Sequence, residues 1–206
     1  MNYFEEEFSY ETEDYLREIP KEIPPAIASI LIDDSLENEQ DYLATVANLI
    51  SKGYIEIKVD KEENEYGIKK AKVHVKNDNV TDLMEHEKFA FKMITRRMHF
   101  EPQEFKNKVI EDAKKLGLIV EFKMKKDGEL RAYYARTKKG KLFGEKFLRL
   151  KKYLNDYTLI KEQNLDGLKL YGEYIVYAIA LGEADKLDKF LDEDYNFRNV
   201  MLKIKD

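Results

Sequence analysis

Along the chain, stretches with a helical apolar period give way to stretches with a period of two. Pro24-Pro25 precede Ala26-Ile27-Ala28-Ser29-Ile30-Leu31-Ile32. Proline suits a helix's first turn, whose N–H groups have no intrahelical acceptor. The run is almost entirely apolar, which predicts a buried helix. Asp33-Asp34-Ser35 stop it and cap a second helix, in which Leu43, Val46, Ala47 and Ile50 recur at helical spacing before Gly53 closes it. Tyr54 to Val59 then alternates apolar and charged residues. Glu62 to Gly67 forms a turn and Ile68 to Val75 alternates again, which predicts a β-hairpin.

The order then returns. Thr81 is placed to cap a helix with Asp82 and Glu85 in its first turn and Leu83, Phe89, Ala90, Met93 and Ile94 as its apolar residues. Pro102 opens another, with Phe105, Val109, Ile110, Ala113 and Leu116 on one face and Gly117 at its end. Leu118 to Phe122 reads as a strand, Asp127-Gly128 as a turn and Leu130 to Ala135 as the return strand. Thr137-Lys138-Lys139-Gly140 leads into a basic helix ending near Asn155, with Thr137 as its cap.

Helices followed by a hairpin, twice over, predict an α+β fold with two winged-helix-like units packed with additional C-terminal helices. The first unit takes residues 23–80 and the second, with its exit helix, 81–157. Lys52-Gly53-Tyr54-Ile55 echoes Leu116-Gly117-Leu118-Ile119, a likeness of structure rather than a duplicated sequence. Residues 1–22 read as an acidic, aromatic arm laid over the body, and 158–206 as a C-terminal helical segment. Within that segment, Leu168 to Leu181 is apolar on every face, so the helix must be buried or docked. Tyr171, Tyr174, Ile175, Tyr177 and Ile179 are its candidate interaction residues, and homodimerisation through it stays open.

Charge modifies this outline. Charged residues make up 37% of the 206 and hydrophobic ones 43%. Enough apolar residues recur between the charges for solvated helix faces rather than disorder. The net charge of −5 is uneven: residues 1–50 carry −11 and residues 81–160 carry +8. Acidic head and basic middle are expected to neutralise each other within the fold. There is no cysteine, which excludes disulfides and thiolate metal sites and fits a reducing, cytoplasmic compartment. The acidic amino end lacks the order of a signal peptide. The longest nearly uncharged apolar stretch, Tyr174 to Gly182, is far shorter than the roughly 18–20 residues of a membrane helix.

Catalytic chemistry finds no foothold in the sequence. His74, His86 and His99 have no i, i+4 partner, and Glu85-His86-Glu87 lacks the second histidine of a zinc-protease helix. All three read as surface histidines, with His86 beside helix-opening acids. Asp188, Asp192 and Asp194 lack the glycine and final glutamate of a calcium loop, which favours a solvated acidic turn. No phosphate-binding glycine loop or nucleophile elbow is present. The expectation is a noncatalytic protein without metal or cofactor.

Nucleic acid is the alternative. A winged helix places one helix in the major groove and holds phosphates with nearby Lys and Arg. In the first unit that helix opens on acids and would repel phosphate. In the second, Lys106, Lys108, Lys114 and Lys115 stand on the helix, and Lys123, Lys125 and Lys126 on the hairpin. Interleaved Glu104, Glu111 and Asp112 favour a solvated face over a nucleic-acid footprint.

Several phrases together carry a resemblance. They are Arg17-Glu18-Ile19-Pro20 with Pro24-Pro25-Ala26-Ile27-Ala28, Asp41-Tyr42-Leu43-Ala44-Thr45, and Lys52-Gly53-Tyr54-Ile55-Glu56-Ile57. Further on are Glu85-His86-Glu87-Lys88-Phe89, Tyr153-Leu154-Asn155-Asp156-Tyr157, and Glu173 to Gly182. From about Tyr15 to Leu191 the chain resembles the C-terminal cytoplasmic region of the domain-of-unknown-function (DUF) 2207 family of predicted membrane proteins. The resemblance implies a larger membrane-bound parent with an exported domain and membrane helices ahead of this region. It supplies no catalytic residues. The expected partners are then other parts of that parent or another protein, and the expected function is noncatalytic contact.

Overall fold

Residues 15–33, 38–63, 69–126, 128–157 and 168–184 are described by a computed structural model of the chain. Most of the N-terminal arm, the first hairpin's turn, Asp127 and the tail with Asp188, Asp192 and Asp194 lie outside the described residues.

The first helix, α1 (Pro25–Ile32), is buried from Pro25 through Leu31, as its almost entirely apolar run requires. Helix α2 (Asn38–Ser51) follows. It ends with Gly53 at φ 76°, where the Gly53 N–H reaches the Ile50 carbonyl and the Tyr54 N–H reaches Leu49, both at 2.9 Å. This Schellman closure needs a left-handed residue, which glycine adopts without steric cost. Strands β1 (Ile55–Glu63) and β2 (Lys69–Val75) pair antiparallel from Ile55↔Val75, with an irregularity between Val59 and Glu63.

Helices α3 (Glu85–Arg96) and α4 (Pro102–Lys115) repeat the pattern. Gly117, at φ 69°, closes α4 as Gly53 closes α2: its N–H reaches Lys114 at 2.9 Å and that of Leu118 reaches Ala113 at 3.0 Å. Strands β3 (Ile119–Lys126) and β4 (Glu129–Arg136) then pair in unbroken antiparallel register from Ile119↔Arg136 to Lys126↔Glu129. The ladder extends four residues beyond Phe122, where the apolar run ends, to the last pair at Lys126↔Glu129. Helix α5 (Lys138–Tyr157) leaves this hairpin, and α6 (Leu168–Ala180) is the last described helix. The fold class is α+β, with six helices and two antiparallel hairpins among the described residues.

Of the three expected caps, the one at Asp34-Ser35 lies outside the described residues, and the other two fare differently. Thr81 does not cap α3. Its hydroxyl donates to the Asn79 side-chain oxygen at 2.8 Å within a local turn, and the helix starts four residues later. Glu87, in the first turn, takes over by accepting the Met84 N–H at 3.0 Å. A short polar side chain nearby has competed for the threonine. Thr137 does cap α5. Its Oγ1 accepts the Gly140 N–H at 3.0 Å, and its hydroxyl donates to the Gly117 carbonyl at 2.7 Å. One hydroxyl thus ties the start of α5 to the exit of α4. Thr137→Ala is expected to cost about 1–2 kcal/mol and Thr137→Ser much less, read as a shift in urea midpoint with unchanged slope.

The buried side chains form one cluster running from Ile19 to Leu181, shared by both helix–hairpin units. Helix α6 packs on α1, α2 and α5. The Tyr177 hydroxyl donates to the Ile23 carbonyl at 2.7 Å, and its ring stacks on Phe147 with centroids 5.9 Å apart. The root of the second hairpin is fixed to the first unit by Arg136, whose Nε donates to the Leu31 carbonyl at 2.7 Å. That carbonyl lies in the last turn of α1, where a cation offsets the helix's negative end.

Candidate interaction surface

Several of the buried charged residues join one element to another. His86, expected on the surface, is fully buried, and that expectation is corrected. Its position, three, four and seven residues ahead of Phe89, Ala90 and Met93, puts it on the apolar face of α3. Asp112 of α4 is also buried and faces it. One carboxylate oxygen accepts both the His86 backbone N–H at 2.9 Å and a contact from His86 Nδ1 at 2.8 Å. Its other oxygen meets Lys115 Nζ at 3.3 Å. Burial alone would raise the Asp112 carboxyl, but the His86 hydrogen bonds and charge, with Lys115, outweigh it and hold it below its ordinary value.

A second buried acid, Glu87, joins α3 to α2. It accepts Asn48 Nδ2 at 2.8 Å and Lys52 Nζ at 2.7 Å. Burial also pushes the Tyr42 phenol up to about 12, and its ring lies 4.3 Å from that of Phe100. His74 and His99 are exposed, and no three metal-ligating side chains come together among the described residues.

The lysines singled out from the sequence divide into two groups. Those on α4 have acidic neighbours. Lys114 Nζ lies 2.5 Å from Glu121, Lys115 lies against Asp112, and Lys108 lies 3.6 Å from Glu104 and over the Phe89 ring. The hydrogen bond between Lys114 and Glu121 raises the amine and lowers the carboxyl. Lys106 is half-buried on the same helix. Lys123 and Lys125, by contrast, are exposed on β3, and Lys126 is the last residue of that strand.

Four of the residues proposed for an interaction helix are placed in and beside the core. Tyr177 and Ile179 are buried, while Tyr174 and Ile175 are half-buried. Tyr171 lies in the first turns of α6. The described end of the N-terminal arm crosses this region. The Tyr174 hydroxyl donates to the Arg17 carbonyl at 2.5 Å, Lys21 pairs with Glu173 at 2.6 Å, and the Tyr15 hydroxyl meets Asp156 at 2.6 Å. Gln40 of α2 donates to the Ile179 carbonyl.

The free surface lies elsewhere, on the second hairpin. Ile119 and Arg136 are buried at its root. Halfway out, Phe122 and Tyr133 stack across the strands at 5.9 Å. Val120 is 50% exposed, Met124 42% and Leu130 68%, three of the seven large hydrophobic side chains that are exposed among the described residues. The alternation of β3 and β4 held the signal, since Met124 and Leu130 sit beyond the last position that the body covers.

The sequence profile of a family described as predicted membrane protein (DUF2207), C-terminal domain, matches residues 12–126 and 122–191. No curated protein and no solved structure matches the chain. No described helix is long and apolar enough to cross a membrane.

Proposed function

This chain belongs to the family of predicted membrane protein (DUF2207) C-terminal domains, and from that premise we propose that it is a noncatalytic cytosolic module of a membrane-anchored protein. It works through protein–protein or intramolecular contact. The observation that carries this reading is the division of labour just described. His86, Glu87, Asp112 and Arg136 are spent on holding elements together. Three of the seven exposed large apolar side chains of the described residues, Val120, Met124 and Leu130, stand together on one hairpin. The absence of cysteine supports a reducing compartment.

The exposed Lys123 and Lys125 favour a second reading, a winged-helix regulator that binds nucleic acid. Against it stand the neutralised Lys114 and Lys115, together with Glu39 and Asp41 in the first turn of α2. Net charge over the footprint governs phosphate affinity. Fluorescence anisotropy with labelled duplex DNA distinguishes the two. The expected result is no saturation below about 100 µM at physiological salt, the weak end of nonspecific binding. Sub-micromolar affinity with a steep salt slope would overturn the contact-module reading. Loss of that affinity in Lys114→Glu/Lys115→Glu would then assign it to α4.

A further inference from the structure

We propose that the β3–β4 hairpin is a membrane-surface anchor, its tip entering an anionic lipid surface. The inference rests on the reading above that the chain is a module of a membrane-anchored protein.

Three features of the hairpin agree. The first is reach. Met124 lies five residues beyond the buried Ile119, and at the rise of a β-strand its backbone stands about 17 Å out along the ribbon. The second is two-sidedness. Alternation places Met124 on one face of the ribbon and Leu130 on the other. A two-stranded ribbon has no sheet neighbour, so a tip entering lipid buries both faces at once. The third is charge. Lys123, Lys125, Lys126 and Arg131 interleave with the apolar residues, against Asp127 and Glu129, leaving residues 122–131 at +2. Long basic side chains reach headgroups while their stems lie in the acyl boundary.

The same features weigh against the other occupants. Two copies meeting tip to tip would bring each set of lysines against its equivalent, which is how natural edge strands avoid pairing. Nucleic acid would satisfy the lysines but leave Met124 and Leu130 against phosphate. Anionic lipid satisfies both.

The test uses the full chain and vesicles of phosphatidylcholine with or without phosphatidylserine. Sedimentation is expected to show binding only to the phosphatidylserine vesicles, weakening as salt rises. Lys123→Gln and Lys125→Gln are each expected to weaken it about five-fold, from about 1 kcal/mol per basic residue near an anionic surface. Met124→Asp/Leu130→Asp is expected to abolish it with the thermal midpoint unchanged, because both side chains are exposed. A cysteine-free chain also allows a single labelled cysteine. An environment-sensitive dye at Leu130→Cys should shift to the blue on phosphatidylserine vesicles, and one at Val75→Cys on the first hairpin should not.

No binding, binding indifferent to these substitutions, or an equal shift at both labels would overturn the inference. So would a dimer in sedimentation equilibrium that Met124→Asp/Leu130→Asp dissolves, since the occupant would then be a second copy. These outcomes leave the contact-module reading standing, and tight DNA binding removes that reading independently.

Discussion

Gly140→Ala is expected to destabilise the protein by about 3 kcal/mol, the upper part of the range for overpacking a filled site. A Cβ built at Gly140 would sit 2.0 Å from the Leu118 carbonyl oxygen and 3.0 Å from its carbon. The obstacle is backbone, and no rotamer change relieves it. Leu118 cannot withdraw easily, because its carbonyl accepts the Thr137 N–H at 2.9 Å and its N–H closes α4 on Ala113. Helix α5 would have to tilt away and carry Phe143, Phe147 and Leu150 out of the core. Gly117→Ala is the control. Around that residue a Cβ meets nothing within 4 Å, so the cost is the left-handed backbone alone, about 1–2 kcal/mol. Urea unfolding of both variants checks the prediction. Equal losses at the two positions would mean that the close approach of α5 to Leu118 carries no weight.

Asp112→Ala is expected to cost a similar amount, about 3 kcal/mol, because it leaves the buried backbone N–H and ring of His86 without their acceptor. Asp112→Asn keeps an oxygen for both His86 groups and should cost less, which separates lost geometry from lost charge. The charge appears in the pH profile. In the fold this carboxyl titrates below its ordinary value. As acid is added, the unfolded chain therefore takes up the proton first, near pH 4. Its contribution to stability is complete above that pH and is lost as pH falls through the lower, folded value. Thermal midpoints measured from pH 7 down to pH 3 should fall in the wild type, and the Asp112→Asn curve should approach it at the acid end. Parallel curves would show that this pair does not contribute to acid sensitivity.

The candidate surface was legible only in part. Lys123 and Lys125 could be placed on the hairpin, beyond a strand read as ending at Phe122, but their exposure could not be read, nor could the neutralisation of Lys114 by Glu121 across a helix–strand corner. His86 and Asp112 looked like surface polar residues because their types are usually solvated. The available clue was their phase. His86 shares its face with Phe89, Ala90 and Met93, and Asp112 lies three residues beyond Val109 and seven beyond Phe105. Two polar residues in phase with two apolar stripes each call for a buried partner. Which partner depends on how α3 and α4 cross.

Local order was the sequence's own work. Period, proline and glycine determined the helices, both hairpins, the paired closures at Gly53 and Gly117, and the cap at Thr137. These depend on groups within a few residues of one another, where chain connectivity leaves few alternatives. The tertiary structure decided where the apolar helix Leu168–Ala180 docks, why Gly140 must lack a side chain, how Arg136 reaches α1, and which apolar residues stay in water. Each of these turns on contact between segments remote in the chain, and a periodic pattern specifies the face that must be buried without specifying what will cover it.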